Sequence, residues 1–250
     1  MNTSSYGPRS FSKILTGAIL ACSLIAAGTA QAQWSDNFDS YASGSQVIGQ
    51  GGWAGWDNSA AAGALISSAF AFSGANSVAI AGGSDLVHQY AGYASGVWTY
   101  STMQYIPSSL TSGSTYFILM NGYTPNVGAN DHWSIQTIFN LATGTLQDDN
   151  GYPSSTLSIV RDAWVPLSYQ IDLTAGTVTG SYNGVAFTTH PWHDASGLNQ
   201  IQAVDLYANN FGPVYYDSIS LTQVPEPTSL GLLAAFGVTF AVWRRRSARS

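Results

Sequence analysis

Short runs of alternating apolar and polar residues fill most of this chain. Between Trp164 and Asp172 every second residue is apolar, from Val165 to Ile171, which is the period of a half-buried β-strand. The segment Thr115–Met120 is apolar at nearly every position, which predicts a central strand covered on both faces. Similar short patterns predict further strands at 77–80, 86–90, 97–106, 132–140, 157–160, 177–182, 185–188, 201–208 and 214–222.

Turn residues separate these runs. Asn183-Gly184 stands between two of the predicted strands and is the strongest hairpin signal in the chain. No segment between the two chain ends carries a helical period. About a dozen short strands with Gly, Asn and Ser turns indicate an all-β sandwich or barrel.

The amino-terminal segment reads as a secretory signal peptide over residues 1–32. Arg9 and Lys13 precede an apolar run at 14–27, and Ala30-Gln31-Ala32 offers a signal-peptidase site, so the mature chain is expected to begin at Gln33. A lipoprotein signal ending at Cys22 is the alternative. Cleavage after Ala32 would leave no cysteine, and hence neither a disulfide nor thiol chemistry.

The carboxyl-terminal segment has three parts: Val224-Pro225-Glu226-Pro227, an apolar run at 229–243, and a basic tail at 244–250 with Arg244, Arg245 and Arg246. As a helix, the apolar run would reach about 22 Å, short of the roughly 30 Å hydrocarbon core. The arginines would stay on the cytoplasmic side and leave the body of the protein outside. The segment is therefore a membrane anchor, either permanent or part of a sorting signal.

The order of these three parts resembles the PEP-CTERM domain, which spans residues 224–250 here. That resemblance implies processing by an exosortase in a Gram-negative envelope and release to the cell surface or matrix. Proteins with such tails are associated with exopolysaccharide and biofilm.

The body, residues 33–223, resembles the laminin-G and concanavalin-A-like jelly rolls. The resemblance lies in Trp164–Phe187, with its Ile-Asp-Leu and Tyr-Asn-Gly, in the closing strand Val214–Leu221, and in Asp36–Tyr41 as the opening strand. It implies a single jelly-roll β-sandwich domain and does not indicate a substrate.

Charge is distributed unevenly. Arg161 is the sole cationic residue of the body, against twelve aspartates, which gives this region a net charge of −11. Such a body is not expected to bind nucleic acid or anionic membranes, both of which require a basic face. Calcium is compatible with it because aspartate oxygens are hard ligands.

Catalytic signals are weak. Glycosidases need two carboxyl groups, usually glutamates in the concanavalin-A-like enzymes, and the body contains no glutamate. Asp148-Asp149 reads as a turn. His190–Asp194 is either part of a metal site or a surface loop, and the loop interpretation is favoured. The chain is therefore expected not to be an enzyme, with a glycan-active enzyme that uses aspartates as the alternative.

The sequence establishes no cofactor, and a structural calcium ion is the one candidate. Jelly rolls often join their first and last strands through such an ion, and Asp36, Asp39 and Asp217 lie at those ends. The competing interpretation gives these residues only local roles in turns.

Tryptophans provide the remaining signal, because aromatic faces stack on sugar rings. Trp133 and Trp164 are expected in the core. Trp53, Trp56 and Trp192 are candidates for binding a neutral polysaccharide. The glycine-rich loop 49–58 would form either an open platform or a plug over one end of the sandwich. Three hypotheses follow: a glycan-binding matrix protein, a glycan-active enzyme, and a purely structural surface protein.

Overall fold

The computed structural model describes residues 32–193, 197–209 and 212–225. The signal segment 1–31, residues 194–196, 210 and 211, and the tail from 226 onward, with the predicted span 229–243, lie outside the described residues. The described part is an all-β sandwich of two antiparallel sheets.

Eight strands form one sheet, in the order β13-β12-β11-β6-β15-β4-β3, with β1 also pairing with β15. Their bounds are β1 Ala32–Asp36, β3 Leu65–Ser67, β4 Ser77–Ile80, β6 Val97–Tyr105, β11 Trp164–Asp172, β12 Thr177–Tyr182, β13 Val185–Pro191 and β15 Val214–Gln223.

Seven strands form the other sheet, in the order β10-β9-β8-β7-β14-β5-β2. Their bounds are β2 Trp53–Gly55, β5 Asp85–Gln89, β7 Ser114–Gly122, β8 His132–Asn140, β9 Thr145–Asp148, β10 Leu157–Ser158 and β14 Ala203–Asn209. Short 3-10 helices cover Trp56–Asn58, Ala60–Ala62 and Gly128–Asn130.

The core lies between the sheets and centres on Phe117 of β7. Its ring stacks on Tyr169 at 5.5 Å between ring centroids and contacts the rings of Tyr100 and Tyr216. The Tyr169 hydroxyl is buried and pairs with Thr137 Oγ1 at 2.6 Å, so the polar end of the ring keeps a partner in the core. The two sheets are thus joined by aromatic contacts and by this hydrogen bond.

Most of the predicted strands are confirmed. In β11 the residues from Val165 to Ile171 are alternately buried, as the two-residue period predicts. β7 lies inside its sheet with both faces largely buried, in agreement with its continuous apolar sequence. Asn183 and Gly184 join β12 to β13 with φ values of 50° and 76°, the positive values that a tight hairpin turn requires.

The predicted opening strand is wrong. The first strand is β1, which ends at Asp36, and residues 37–41 form a turn in which Phe38 has φ of 61°. The Phe38 N–H donates to Asp36 Oδ1 at 2.8 Å, so the aspartate side chain closes the turn. Such a side chain to backbone hydrogen bond competes with continuation of a strand.

Candidate functional site

A cleft of about 180 Å³ lies on the face of the seven-stranded sheet that points away from the other sheet. Six residues line it: Trp56, Asp85, Ile118, Trp133, Asp205 and Tyr207. A second, smaller apolar cluster lies beneath and around it and includes Val87, Met120 and Ala203. This outer face therefore has its own apolar packing and an acidic centre.

Strand register brings the acidic residues together. Asp205 of β14 lies opposite Val87 of β5 and Ile118 of β7, while Asp85 of β5 lies opposite Tyr207. Alternation places Asp205 and Tyr207 on the same face of β14, so Asp85 is the diagonal neighbour of Asp205. Long-range pairing is what joins these two carboxyl groups, which are far apart in the chain.

The Asp85 and Asp205 carboxyl groups are in hydrogen-bond contact with each other. Asp205 is only 3% exposed, and its Oδ1 atom receives no hydrogen bond from an N–H or hydroxyl donor in the described part of the chain. Burial, followed by the charge of Asp85, holds the pKa of Asp205 well above its ordinary value. Burial also raises the pKa of Asp85, against the effect of the hydrogen bond from Asp205. Burial thus disfavours ionisation of both carboxyl groups, and their proximity adds to this effect at Asp205.

Aromatic rings form the walls of the cleft. The rings of Trp56 and Trp133 are parallel within 11°, with their centroids 6.4 Å apart, and Trp56 also packs on Tyr123 at 4.7 Å. Both tryptophans are half-buried. Part of each ring thus contacts solvent beside the carboxyl pair.

Hydrogen bonds hold the backbone next to Trp56 in place. The next residue, Asp57, has φ of 52°, donates its backbone N–H to the Tyr123 hydroxyl at 2.9 Å and accepts from the Asn126 N–H at 2.6 Å. A non-glycine residue at positive φ persists where its surroundings hold it in place, and such positions are frequent at binding sites. These contacts fix the Trp56 ring over the outer face of the sheet.

No positive side chain balances the acidity of the cleft in the described residues. Arg161 donates to the carbonyls of Leu110 and Leu141 at 2.6 and 2.8 Å, and lines a different part of the fold. Asp57 raises the pKa of Asp131, after the larger effect of burial, which places further negative charge near the Trp56 loop. The cleft therefore lies in a negative field, although His132 lowers the pKa of Asp131 as a smaller effect.

The structure corrects the glycan-binding prediction for two of its three tryptophans. Trp53 is 2% exposed and packs in the main core, and Trp192 is 0% exposed with its Nε1 donating to the Gln200 carbonyl at 2.9 Å. Neither ring can stack on a sugar from solvent. The part of the glycine-rich loop around Trp53 therefore covers the sandwich and does not form an open platform. Trp56 alone of the three has a partly exposed ring in the cleft.

The expectation that Trp133 and Trp164 belong to the core is also wrong. Trp133 pairs with Met120 across register shifts between β7 and β8, and these shifts turn its side chain to the outer face. Trp164 is half-buried and contacts Phe72 and Tyr105 near the outer surface of the other sheet.

The aspartates predicted to bind calcium are occupied by protein donors. Asp36 Oδ2 accepts from the Tyr41 hydroxyl and from Trp53 Nε1, at 2.7 and 2.9 Å. Asp39 Oδ1 accepts two backbone N–H groups, from residues 75 and 76, and Asp217 Oδ2 accepts those of residues 72 and 73. In the described part of the chain, no three His, Cys, Asp or Glu side chains gather into a metal-binding group. Calcium at this trio stays a prediction.

Asp36 also lines a larger cavity of about 580 Å³, together with Trp34, Tyr41 and several serines. Its carboxylate oxygens already accept hydrogen bonds from Phe38, Tyr41 and Trp53. The carboxylate of this cavity is therefore already hydrogen-bonded, whereas Asp205 Oδ1 in the smaller cleft has no N–H or hydroxyl donor in the described residues.

The segment around His190 is not the surface loop that the sequence favoured. His190 lies on β13, is 5% exposed, and its Nε2 contacts Asp148 Oδ2 at 2.7 Å. Tyr152 stacks on its ring at 4.4 Å. The histidine thus pairs with a carboxylate of the other sheet, and Asp148 is more than a turn residue.

Sequence reasoning missed the Asp85–Asp205 pair. One signal was available: Asp205 interrupts an otherwise apolar strand, and a charged residue in such a position is either paired or functional. Its partner could not be found that way, because nothing in the sequence pairs β14 with β5.

Residues 223–246 match the PEP-CTERM protein-sorting motif. The motif indicates export, sorting by an exosortase and delivery to the cell surface, as the resemblance of the tail implied. Most of the matched segment lies outside the described residues. Among the residues that the structure describes, no helix is both long and apolar enough to cross a bilayer.

Several solved structures share the fold at low sequence identity. A sialidase matches with a TM-score of 0.53 and 7% identity over 78% of this chain, which spans about a fifth (19%) of the sialidase. A conserved carbohydrate esterase from the Shiga toxin-encoding bacteriophage phi24B has a TM-score of 0.52 and 14% identity, covering 79% of this chain and 100% of its own. An endo-beta-1,4-glucuronan lyase from the fungus Trichoderma reesei has a TM-score of 0.51 and 10% identity, covering 77% and 96%.

These similarities show the fold alone. The neighbours are jelly-roll β-sandwiches, which confirms the fold-level resemblance of the body. No protein with a curated description matches the sequence significantly.

Proposed function

We propose that the protein is an exosortase-sorted surface protein of the biofilm matrix that binds polysaccharide in the cleft on the seven-stranded sheet. The observation that carries this proposal is the pair of parallel, half-buried tryptophans, Trp56 and Trp133, beside an unsatisfied carboxyl group. Aromatic faces bind the apolar faces of sugar rings, and polar groups in the same site fix the orientation of a ligand.

A glycan array tests the proposal directly. Full-length protein in detergent is expected to bind at least one glycan saturably, and Trp56→Ala to abolish that binding. Trp164→Ala is the matched control, because it removes a half-buried tryptophan from the other sheet and leaves the cleft intact. If only Trp164→Ala loses binding, or if both variants still bind, the glycan site lies elsewhere.

The sorting part of the proposal has its own test. Replacing Pro225-Glu226-Pro227 by three alanines removes the marker in front of the proposed membrane span 229–243. We expect the variant to accumulate in the membrane fraction, whereas the original chain reaches the cell surface or medium. An unchanged distribution would show that these three residues do not direct processing.

A glycan-active enzyme is the second candidate, and the converging Asp85 and Asp205 carboxyl groups favour it. Their geometry differs from that of a two-carboxylate glycosidase. Groups in hydrogen-bond contact are closer than the roughly 5–5.5 Å of retaining enzymes and the roughly 6.5–9.5 Å of inverting ones. Binding is therefore proposed ahead of hydrolysis. Appearance of new reducing ends from a bound glycan, lost in Asp205→Asn, would reverse that order.

A further inference from the structure

The Asp205 carboxyl group lines the cleft, is 3% exposed and contacts the Asp85 carboxyl group. In the described residues, its Oδ1 atom receives no hydrogen bond from an N–H or hydroxyl donor. An unpartnered buried polar atom carries a desolvation cost that a ligand donor can remove. A ligand that enters the cleft therefore meets a carboxyl residue, Asp205, whose Oδ1 atom has no N–H or hydroxyl donor in the described residues.

The charge around this acceptor favours a positive ligand. Asp85 contacts Asp205, and Asp57 and Asp131 add negative charge near Trp56. The single arginine of the body is held by backbone carbonyls, so it does not neutralise the pair. A low-dielectric acidic site of this kind concentrates cations rather than neutral groups.

The aromatic walls have the same preference. The electron-rich faces of tryptophan rings attract ammonium groups, and both Trp56 and Trp133 lie along the cleft with the carboxyl pair. A divalent metal is less well matched. Calcium takes about six to eight oxygen ligands, and the described residues gather no group of three metal-ligating side chains here.

We infer that the cleft recognises the protonated amine of an amino sugar, so that the preferred ligand is a polysaccharide with free hexosamine amino groups. Asp205 and Asp85 accept from the ammonium group, and Trp56 and Trp133 contact the sugar ring. This inference rests on the proposed carbohydrate-binding function and adds the substrate class.

Three oligosaccharides that differ only at the second carbon of each sugar test the inference. They are the β-1,4-linked hexamers of glucosamine, N-acetylglucosamine and glucose, titrated into full-length protein in detergent at pH 6 and low salt. We expect the glucosamine hexamer to bind at least tenfold tighter than either neutral hexamer.

Variants separate specific recognition from general attraction of a polycation to an acidic protein. Asp205→Asn and Asp85→Asn are expected to reduce the amine preference to within about threefold. Asp149→Asn makes the same substitution at an exposed position outside the cleft and should leave the preference unchanged. Thermal melting verifies that each variant is folded.

The outcomes distinguish this inference from the proposed function. Equal affinity for all three hexamers, or equal loss in Asp149→Asn and Asp205→Asn, overturns amine recognition and leaves carbohydrate binding in place. Binding of a glycan on the array with no preference for its amine-bearing form has the same consequence. If none of the hexamers binds and the array shows no glycan, both proposals are wrong.

Discussion

The contact between His190 and Asp148 gives the most decisive test of how the two sheets are held together. His190 lies on an edge strand of the eight-stranded sheet, and Asp148 ends β9 of the seven-stranded sheet. The His190 Nε2 and Asp148 Oδ2 atoms are 2.7 Å apart, and the two side chains are 2% and 0% exposed. His190 Nδ1 contacts the Pro191 carbonyl at 2.7 Å. With the carboxylate ionised, both ring nitrogens donate, and the contact is a buried ion pair.

The magnitude follows from this geometry. At 2.7 Å and an effective dielectric constant of about 20, the Coulomb attraction is about 6 kcal/mol. Desolvation of both groups offsets most of it, so the intact pair adds little net stability. Removing one partner leaves the other buried and uncompensated, which costs about 3–5 kcal/mol. A domain of this size loses about 2–4 °C of melting temperature per kcal/mol, so a drop of about 6–20 °C is expected.

The assay is urea and thermal unfolding of His190→Ala, Asp148→Asn and the double variant. Each single variant should lose stability by this amount, and the double variant should lose much less than the sum, because it leaves no unpaired charge. Asp149→Asn is the control, since Asp149 is the exposed neighbour of Asp148. If the two single losses add fully in the double variant, or if Asp148→Asn matches Asp149→Asn, the two side chains do not act as a pair.

Three further predictions concern the core, pH and calcium. Trp192→Ala should cost about 3–5 kcal/mol, because the side chain is fully buried. Trp56→Ala should lower the free energy of unfolding far less, while it abolishes glycan binding. If urea unfolding shows equal losses of stability for the two variants, the difference in burial does not have this effect. The raised pKa of Asp205 means that the folded state binds more protons than the unfolded state, so this residue contributes stability at low pH that is lost as pH rises through its folded pKa. Burial lowers the pKa of His88 from 6.5 to about 4, which has the opposite effect, a loss of stability as pH falls through that range. Because Asp205 loses its stabilising effect as pH rises, the stability of Asp205→Asn relative to the original chain should increase with pH. A stability difference that does not change with pH would contradict this prediction. If calcium binds at Asp36, Asp39 and Asp217, the melting temperature should be higher with calcium than with chelator. An unchanged melting temperature would exclude a stabilising ion there.

Local pattern was sufficient for most of the strands and for the destination of the protein. The alternation in β11, the continuous apolar sequence of β7 and the Asn183-Gly184 turn depend on near neighbours, and these predictions agree with the structure. The tail is a linear signal read by other proteins, so its three parts were recognisable in order and the motif match confirms them.

The site depended on contacts between residues far apart in the chain. Asp85 and Asp205 meet because β5 pairs with β14, and Trp133 faces the cleft because the register of β7 and β8 shifts beside it. The burial of Trp53 and Trp192 likewise depends on which elements cover them. The sequence by itself determined the strands, the turns and the sorting signal, since these follow from local period and linear order. Only the tertiary structure decided which aromatic rings reach solvent and which carboxyl groups lie side by side, because both depend on strand pairing and packing between distant segments.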